Sequence, residues 1–244
     1  MQAPIGACVG HVTWPSPKSP TVMVTEKIID NQSSMPVSGL NVSICGGCPC
    51  PSPSNPLLRQ AQTDDAGIYS VTLPNPPGMD GTGLNGCIQY HPDPDSGITP
   101  AFIYWGYPFS EAQAVDTAAS TEGRTITSDE TASIYGTFGV ALDPTDAPWL
   151  TLFVLDCLGS LASGVQIAIQ PNAPVPEFYS VPGGASLTAT ETTSVGSGGF
   201  LNVPPGEYTV TATPLSLGKP VSQIVVNVQA GTVTGALMFP TPTP

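Results

Sequence analysis

From Val22 to Asp30 (VMVTEKIID) β-branched residues are dense, and the run stops at the turn-forming DNQSSMP, so a strand is predicted there. Between Gly39 and Cys45 the apolar Leu40, Val42 and Ile44 alternate with polar neighbours, the period-two pattern of a strand with one buried face. A polar, proline-rich insertion, CGGCPCPSPSNP, follows from Cys45 to Pro56. Arg59 to Pro74 then predicts two strands around the tight turn Asp64-Asp65-Ala66-Gly67, with Tyr69, Val71 and Leu73 forming one face. Loop-rich sequence (NPPGMDGTGLNG) leads to a strand at Cys87 to Tyr90 and, past HPDPDSG, to the aromatic run AFIYWGYPF. Ahead of all this, residues 1–20 predict an extended leader, with Val9 to Thr13 able to add one short strand.

The second half repeats this order. Leu150 to Asp156, the turn CLGSLAS, Gly164 and VQIAI match Val22 to Asp30, its turn, Gly39 and LNVSI, and Leu187 to Pro214 mirrors Arg59 to Pro74. Self-similarity at this scale predicts duplicated supersecondary units. Between them, Thr127-Ser128-Asp129-Glu130 supplies a hydroxyl cap followed by acids suited to the positive end of a helix, so one or two helical turns are predicted up to Gly136.

Composition sharpens the picture. Pro (29) and Gly (26) are abundant in the 244 residues, yet 40% are hydrophobic, which sets the chain apart from a disordered one and predicts many turns between many short strands. The formal net charge is −13, and the five basic residues, Lys18, Lys27, Arg59, Arg124 and Lys219, form no stripe that could displace counterions from a phosphate backbone. A nucleic-acid partner is therefore not expected, and an anionic membrane surface is disfavoured. No apolar run approaches the roughly 20 residues needed to cross a bilayer, so membrane insertion of the chain itself is not expected. Met1-Gln-Ala-Pro has neither the charged head nor the apolar stretch of an export signal, so export predicts a leader removed ahead of it.

Six cysteines, Cys8, Cys45, Cys48, Cys50, Cys87 and Cys157, form an even set, and an exported chain predicts disulfides. A local bridge from Cys45 to Cys48 or Cys50, stapling the insertion, is the preferred element. The CxxCxC cluster, with Cys8 and His11, also offers thiolates for zinc, but specific zinc motifs pair two such clusters and the second is missing, so no metal is expected. HPDPDSG places Asp93 and Asp95 two apart but lacks the further donors of a calcium loop and reads as a rigid loop. His91 has no identifiable nucleophile to serve, and no HxxE pattern follows His11 or His91, so no catalytic residue and no cofactor are predicted. Lys27 is read as a snorkelling or exposed lysine. Tyr104, Trp105 and Tyr107 are the candidate ligand-binding aromatics, since flat rings suit sugars and hydrophobic partners, although core packing competes for them.

At Gly198-Gly-Phe-Leu-Asn-Val-Pro-Pro-Gly206-Glu-Tyr-Thr-Val210 a signature is reached. It resembles the carboxypeptidase regulatory-like modules, which share a prealbumin-like fold with CnaB-type and starch-binding-type domains. Pro204 and Pro205 stiffen the corner, and Tyr208 and Val210 drop into the core. The likeness covers most of residues 126–244 and, more loosely, 21–110. The order of Cys-rich module, ALDPTDAPWLTLFVLDC joint and GGFLNVPPGEYTV module is similar to secreted or lipid-anchored proteins of myxobacteria. The fold class expected is all-β: two tandem Ig-like or prealbumin-like β-sandwich modules with at most one short helix between them. The boundaries are 1–20 for the leader, 21–125 for the first module with its Cys-rich insertion, and 126–244 for the second. The resemblance implies a non-catalytic extracellular or cell-surface spacer, adhesion or accessory module, secreted or lipid-anchored, with an unknown protein or glycan as partner. The alternative is a carbohydrate-binding module using the aromatics of the first module.

Overall fold

The computed structural model describes residues 21–74, 86–105, 122–143 and 145–240, and these carry fifteen strands and one α-helix. The fold is all-β, as the alternation predicts. The described residues group into two compact units, one formed by 21–102 with 122–136, the other by 103–105 with 137–240. The helix start at Ser128 therefore lies with the earlier unit.

The first unit is built from β1 (Thr21–Asp30), β2 (Asn41–Cys45), β3 (Leu57–Gln62), β4 (Ile68–Pro74), β5 (Cys87–His91), the start of β6 (Ala101–Tyr104), whose Ile103 and Tyr104 group with the second unit, and β7 (Glu122–Thr125). Strand β1 pairs antiparallel with β4 and parallel with β7, while β3, β2, β5 and β6 follow one another in a second sheet. Val24, Ile28, Tyr69, Val71 and Leu73 from one sheet, with Val42, Ile44, Ile88 and Tyr90 from the other, are the buried side chains between them. Period-two alternation alone accounts for this core, because each strand turns every second residue inward.

Helix α1 (Ser128–Phe138) has 11 residues, about three turns rather than the one or two expected. Its start is a reciprocal capping box: Thr127 Oγ1 accepts from the Glu130 amide at 3.1 Å, and Glu130 Oε2 accepts from the Thr127 amide at 2.7 Å. Gly136, taken as the stop, is carried inside the helix, which ends instead before Gly139 at φ +67°.

The second unit holds β8 (Ala147–Val154), β9 (Val165–Gln170), β10 (Glu177–Val181), β11 (Gly184–Ser186), β12 (Ser197–Val203), β13 (Gly206–Pro214), β14 (Ser222–Val228) and β15 (Val233–Met238). One sheet runs β11-β10-β12-β8-β15 and the other β14-β13-β9. Strand β8 repeats the situation of β1, antiparallel to β12 and parallel to β15. The pairing patterns correspond: β4-β1-β7 to β12-β8-β15, and β2-β5-β6 to β9-β13-β14. What differs lies between the second and third strands of this shared set. There the first unit adds β3 beside β2, and the second adds the β10–β11 hairpin beside β12, in the opposite sheet.

The signature segment spans β12 and β13. Tyr208 and Val210 are buried, and the Tyr208 hydroxyl donates to the Pro204 carbonyl at 3.0 Å, locking the corner that the two prolines begin. Asn202, at φ +50°, uses both ends of its amide: Nδ2 donates to the Ala141 carbonyl at 2.8 Å and Oδ1 accepts from the Asp143 amide at 3.0 Å. The strand-end turn thus fixes the segment after the helix.

Candidate functional site

The cysteines assemble one site in the first unit. Strand β2 hydrogen-bonds to β5 with Cys45 opposite Cys87, so both thiols emerge on the sheet face away from the core. Cys45 is joined to Cys50 (Cα–Cα 6.1 Å) and Cys48 to Cys87 (Cα–Cα 5.9 Å), and Cys157 in the second unit is disulfide-bonded as well. The expected local staple is thus the Cys45–Cys50 bridge. With their sulfurs in disulfides, Cys45, Cys48 and Cys50 are not thiolate ligands, and the described residues contain no cluster able to hold a metal. Cys8 and His11 lie outside the described residues.

Between the staples the insertion closes on itself. The Gly46 amide donates to the Pro56 carbonyl at 3.0 Å, Ser52 and Asn55 exchange backbone hydrogen bonds at 3.0 and 3.1 Å, and Asn55 Nδ2 donates to the Pro49 carbonyl at 3.3 Å. Gln89 Oε1, buried on β5, accepts from the Cys50 amide at 3.2 Å. The insertion therefore covers Cys45, Cys87 and Gln89, while the Ser43 hydroxyl accepts from Gln60 Nε2 of β3 at 3.4 Å, and β2 and β5 are buried on both faces. Its other side presents Pro51, Pro53, Ser54 and Pro56 to solvent. Such a loop has little left to lose in conformational freedom when it meets a partner.

The aromatic candidates fare differently. Tyr104 is 6% exposed and Trp105 4%, so neither ring presents a face to a ligand, and Tyr107 lies outside the described residues. What Tyr104 contributes is its hydroxyl. Within the second unit it accepts from the Asn227 amide at 2.8 Å and donates to the Asn227 carbonyl at 3.4 Å. Strand β14 ends its sheet, and Asn227 is a position where both backbone groups point away from β13, so the phenol caps the edge. Burial pushes the Tyr104 pKa up to about 12, keeping the hydroxyl able to donate. At the opposite edge the Ile167 amide of β9 donates to the Tyr179 hydroxyl at 3.2 Å, and that hydroxyl donates to Glu177 Oε1 at 2.5 Å. Thr192 continues the cover: its Oγ1 accepts from the Val165 amide at 3.1 Å. Tyr104→Phe is expected to leave the Asn227 groups unpaired and cost about 1–3 kcal/mol; a thermal melt of the variant and amide exchange at Asn227 measure it.

The sequence reading missed Glu26. It stands in phase with the inward-facing Val24 and Ile28, directly opposite Tyr69 on β4. The Tyr69 hydroxyl donates to Oε2 at 2.6 Å and the Tyr90 hydroxyl, from the other sheet, to Oε1 at 3.5 Å. Burial outweighs these two donors and raises the carboxyl pKa to about 7. The same burial, with Glu26 close by, raises both tyrosines well above the ordinary phenol value. An acid set between the in-phase Val24 and Ile28 of VMVTEKIID was the available signal. Lys27, next along β1, belongs to the alternate face, with Ile68 and Glu122 as its cross-strand partners.

HPDPDSG forms a short 3-10 turn at Pro94–Ser96, closed by the Ser96 amide and hydroxyl donating to the Asp93 carbonyl at 3.0 and 2.6 Å. Asp93 and Asp95 are exposed on this loop.

No family model and no curated protein matches the sequence. Among solved structures, the shaft pilin SpaA from Lactobacillus rhamnosus GG is 12% identical and has a TM-score of 0.26, over 92% of this chain and 99% of that one. The minor pilin of Streptococcus agalactiae is 10% identical with a TM-score of 0.26, over 91% of this chain and 98% of that one. The Bacillus anthracis TIE protein is 10% identical with a TM-score of 0.26, and 90% of this chain spans 34% of its length.

Proposed function

We propose that the chain is a non-catalytic structural and binding module of the cell exterior, secreted or lipid-anchored, in which two carboxypeptidase regulatory-like sandwiches in tandem present the stapled proline loop of residues 46–56 to a protein or glycan. The observation that carries this reading is the loop itself: two disulfides, Cys45–Cys50 and Cys48–Cys87, lock an exposed turn onto the outer face of a sheet. Disulfides persist in oxidising compartments, and a low-charge surface rich in turns suits an exported chain. Three of the buried polar side chains have structural work: Tyr104 and Tyr179 cap sheet edges, and Asp156 Oδ1 closes a turn by accepting from Leu158 and Ser160 amides at 2.8 and 2.9 Å.

The test is antibody labelling of intact source cells together with thiol counting by intact mass. Surface labelling with every cysteine oxidised is expected. Exclusively internal labelling, or free thiols at Cys45, Cys48, Cys50 and Cys87, would end the proposal.

A further inference from the structure

We propose that Glu26, Tyr69 and Tyr90 form a pH-sensitive latch that holds the two sheets of the first unit together while the carboxyl carries a proton and weakens that unit once the proton leaves. The geometry sets one acid between the sheets, with a hydroxyl from each: Tyr69 beside it on β4 at 2.6 Å and Tyr90 across from it on β5 at 3.5 Å. Room for this meeting is kept by Gly123 on β7. A Cβ there would stand 2.5 Å from the Tyr90 hydroxyl and 2.8 Å from Glu26 Oε1, so any side chain would push the cluster apart.

Among the described residues, the titratable groups that act on the carboxyl are two tyrosines. Strand β4 supplies Tyr69, β5 supplies Tyr90, β7 supplies a glycine, and the in-phase neighbours on β1 are the apolar Val24 and Ile28. The influences on Glu26 are thus burial, which favours the protonated acid, and two neutral donors, which favour the anion less strongly. Its pKa is about 7 in the fold against 4.5 for the ordinary carboxyl. Because the folded value is the higher one, the stabilising contribution is complete below pH 4.5, declines as the unfolded chain alone gives up its proton, and is gone once pH passes about 7. Over that window the folded-to-unfolded ratio of the first unit falls by about 300-fold, roughly tenfold per pH unit.

The experiment uses the full chain with 13C-carboxyl-labelled glutamate, followed by NMR across pH 4–9, and amide-exchange protection of β1, β4 and β5 corrected for intrinsic exchange. One glutamate is expected to titrate near neutrality, and Glu26→Gln is expected to remove that signal and flatten the stability profile between pH 4.5 and 7. Asp95→Asn, on the exposed loop, is expected to leave both unchanged. Complete titration of every glutamate below about pH 5.5 in the unaltered protein overturns the latch, as does a Glu26→Gln protein that retains the original slope. Should that variant fail to fold, the titration of the unaltered chain decides alone.

Discussion

Replacing Cys48 and Cys87 together by serine is expected to destabilise the first unit by about 4 kcal/mol, the loop-closure entropy released when a 39-residue separation is no longer bridged. Replacing Cys45 and Cys50, only 5 apart, is expected to cost about 2 kcal/mol by the same relation. The difference arises in the unfolded chain: the longer bridge ties the insertion to β5 across β3 and β4, whereas the shorter one closes a turn that is already nearly local. Urea unfolding in oxidising buffer, with exchange of first-unit amides as the reporter, measures both. The second unit, whose Cys157 is untouched by either change, should keep its midpoint. A larger loss from the Cys45/Cys50 pair than from the Cys48/Cys87 pair would contradict this account.

Gly199→Val is expected to cost the second unit at least about 4 kcal/mol, in the range reserved for a clash that the backbone must move to relieve. Gly199 lies on β12 between β8 and β10, opposite Thr151 and Phe178. A Cβ at this position would run into the Leu150 carbonyl and stand 2.9 and 3.0 Å from the Phe178 ring. That ring cannot retreat freely, because its other neighbour is Phe138, with centroids 5.9 Å apart. The glycine of the signature is thus a clearance for an aromatic ring. Gly184→Ala is the matched control, since a methyl there meets nothing within 4 Å, and its effect should stay within about 0.5 kcal/mol. Equal thermal midpoints for Gly199→Val and Gly184→Ala would remove the argument.

Much of the framework was legible because one face of each strand is buried and the other solvated. Leu40, Val42 and Ile44, or Tyr69, Val71 and Leu73, announce themselves by period two, and they are core. The same rule concealed Glu26, since a charged letter in the inward phase reads as an exception to be turned outward; only the meeting of two sheets shows the hydroxyls that receive it. Tyr104 illustrates a different limit. Its aromatic ring suggested a platform, but its use depends on Asn227, 123 residues away, which no local pattern can reveal. The β10–β11 hairpin escaped because Glu177 to Ser186 is short and lacks a long alternation, although Val181-Pro-Gly-Gly184 carries a turn signal. For the cysteines, the compartment argument predicted oxidation, but the pairing of Cys45 with Cys50 and of Cys48 with Cys87 depends on how the insertion folds back over two strands whose register sets Cys45 opposite Cys87, which no local pattern displays.

The matching pairing patterns of the two units have a practical meaning. Between β2 and β4 one unit accommodates residues 46–67, and between β9 and β12 the other accommodates residues 171–196, without disturbing the six strands they share. One such segment is cross-linked, cysteine-rich and laid along the β2 side; the other is cysteine-free and laid along the β12 side. The scaffold behaves as a socket whose cartridge can change length, chemistry and even the wall it leans on while the socket keeps its shape.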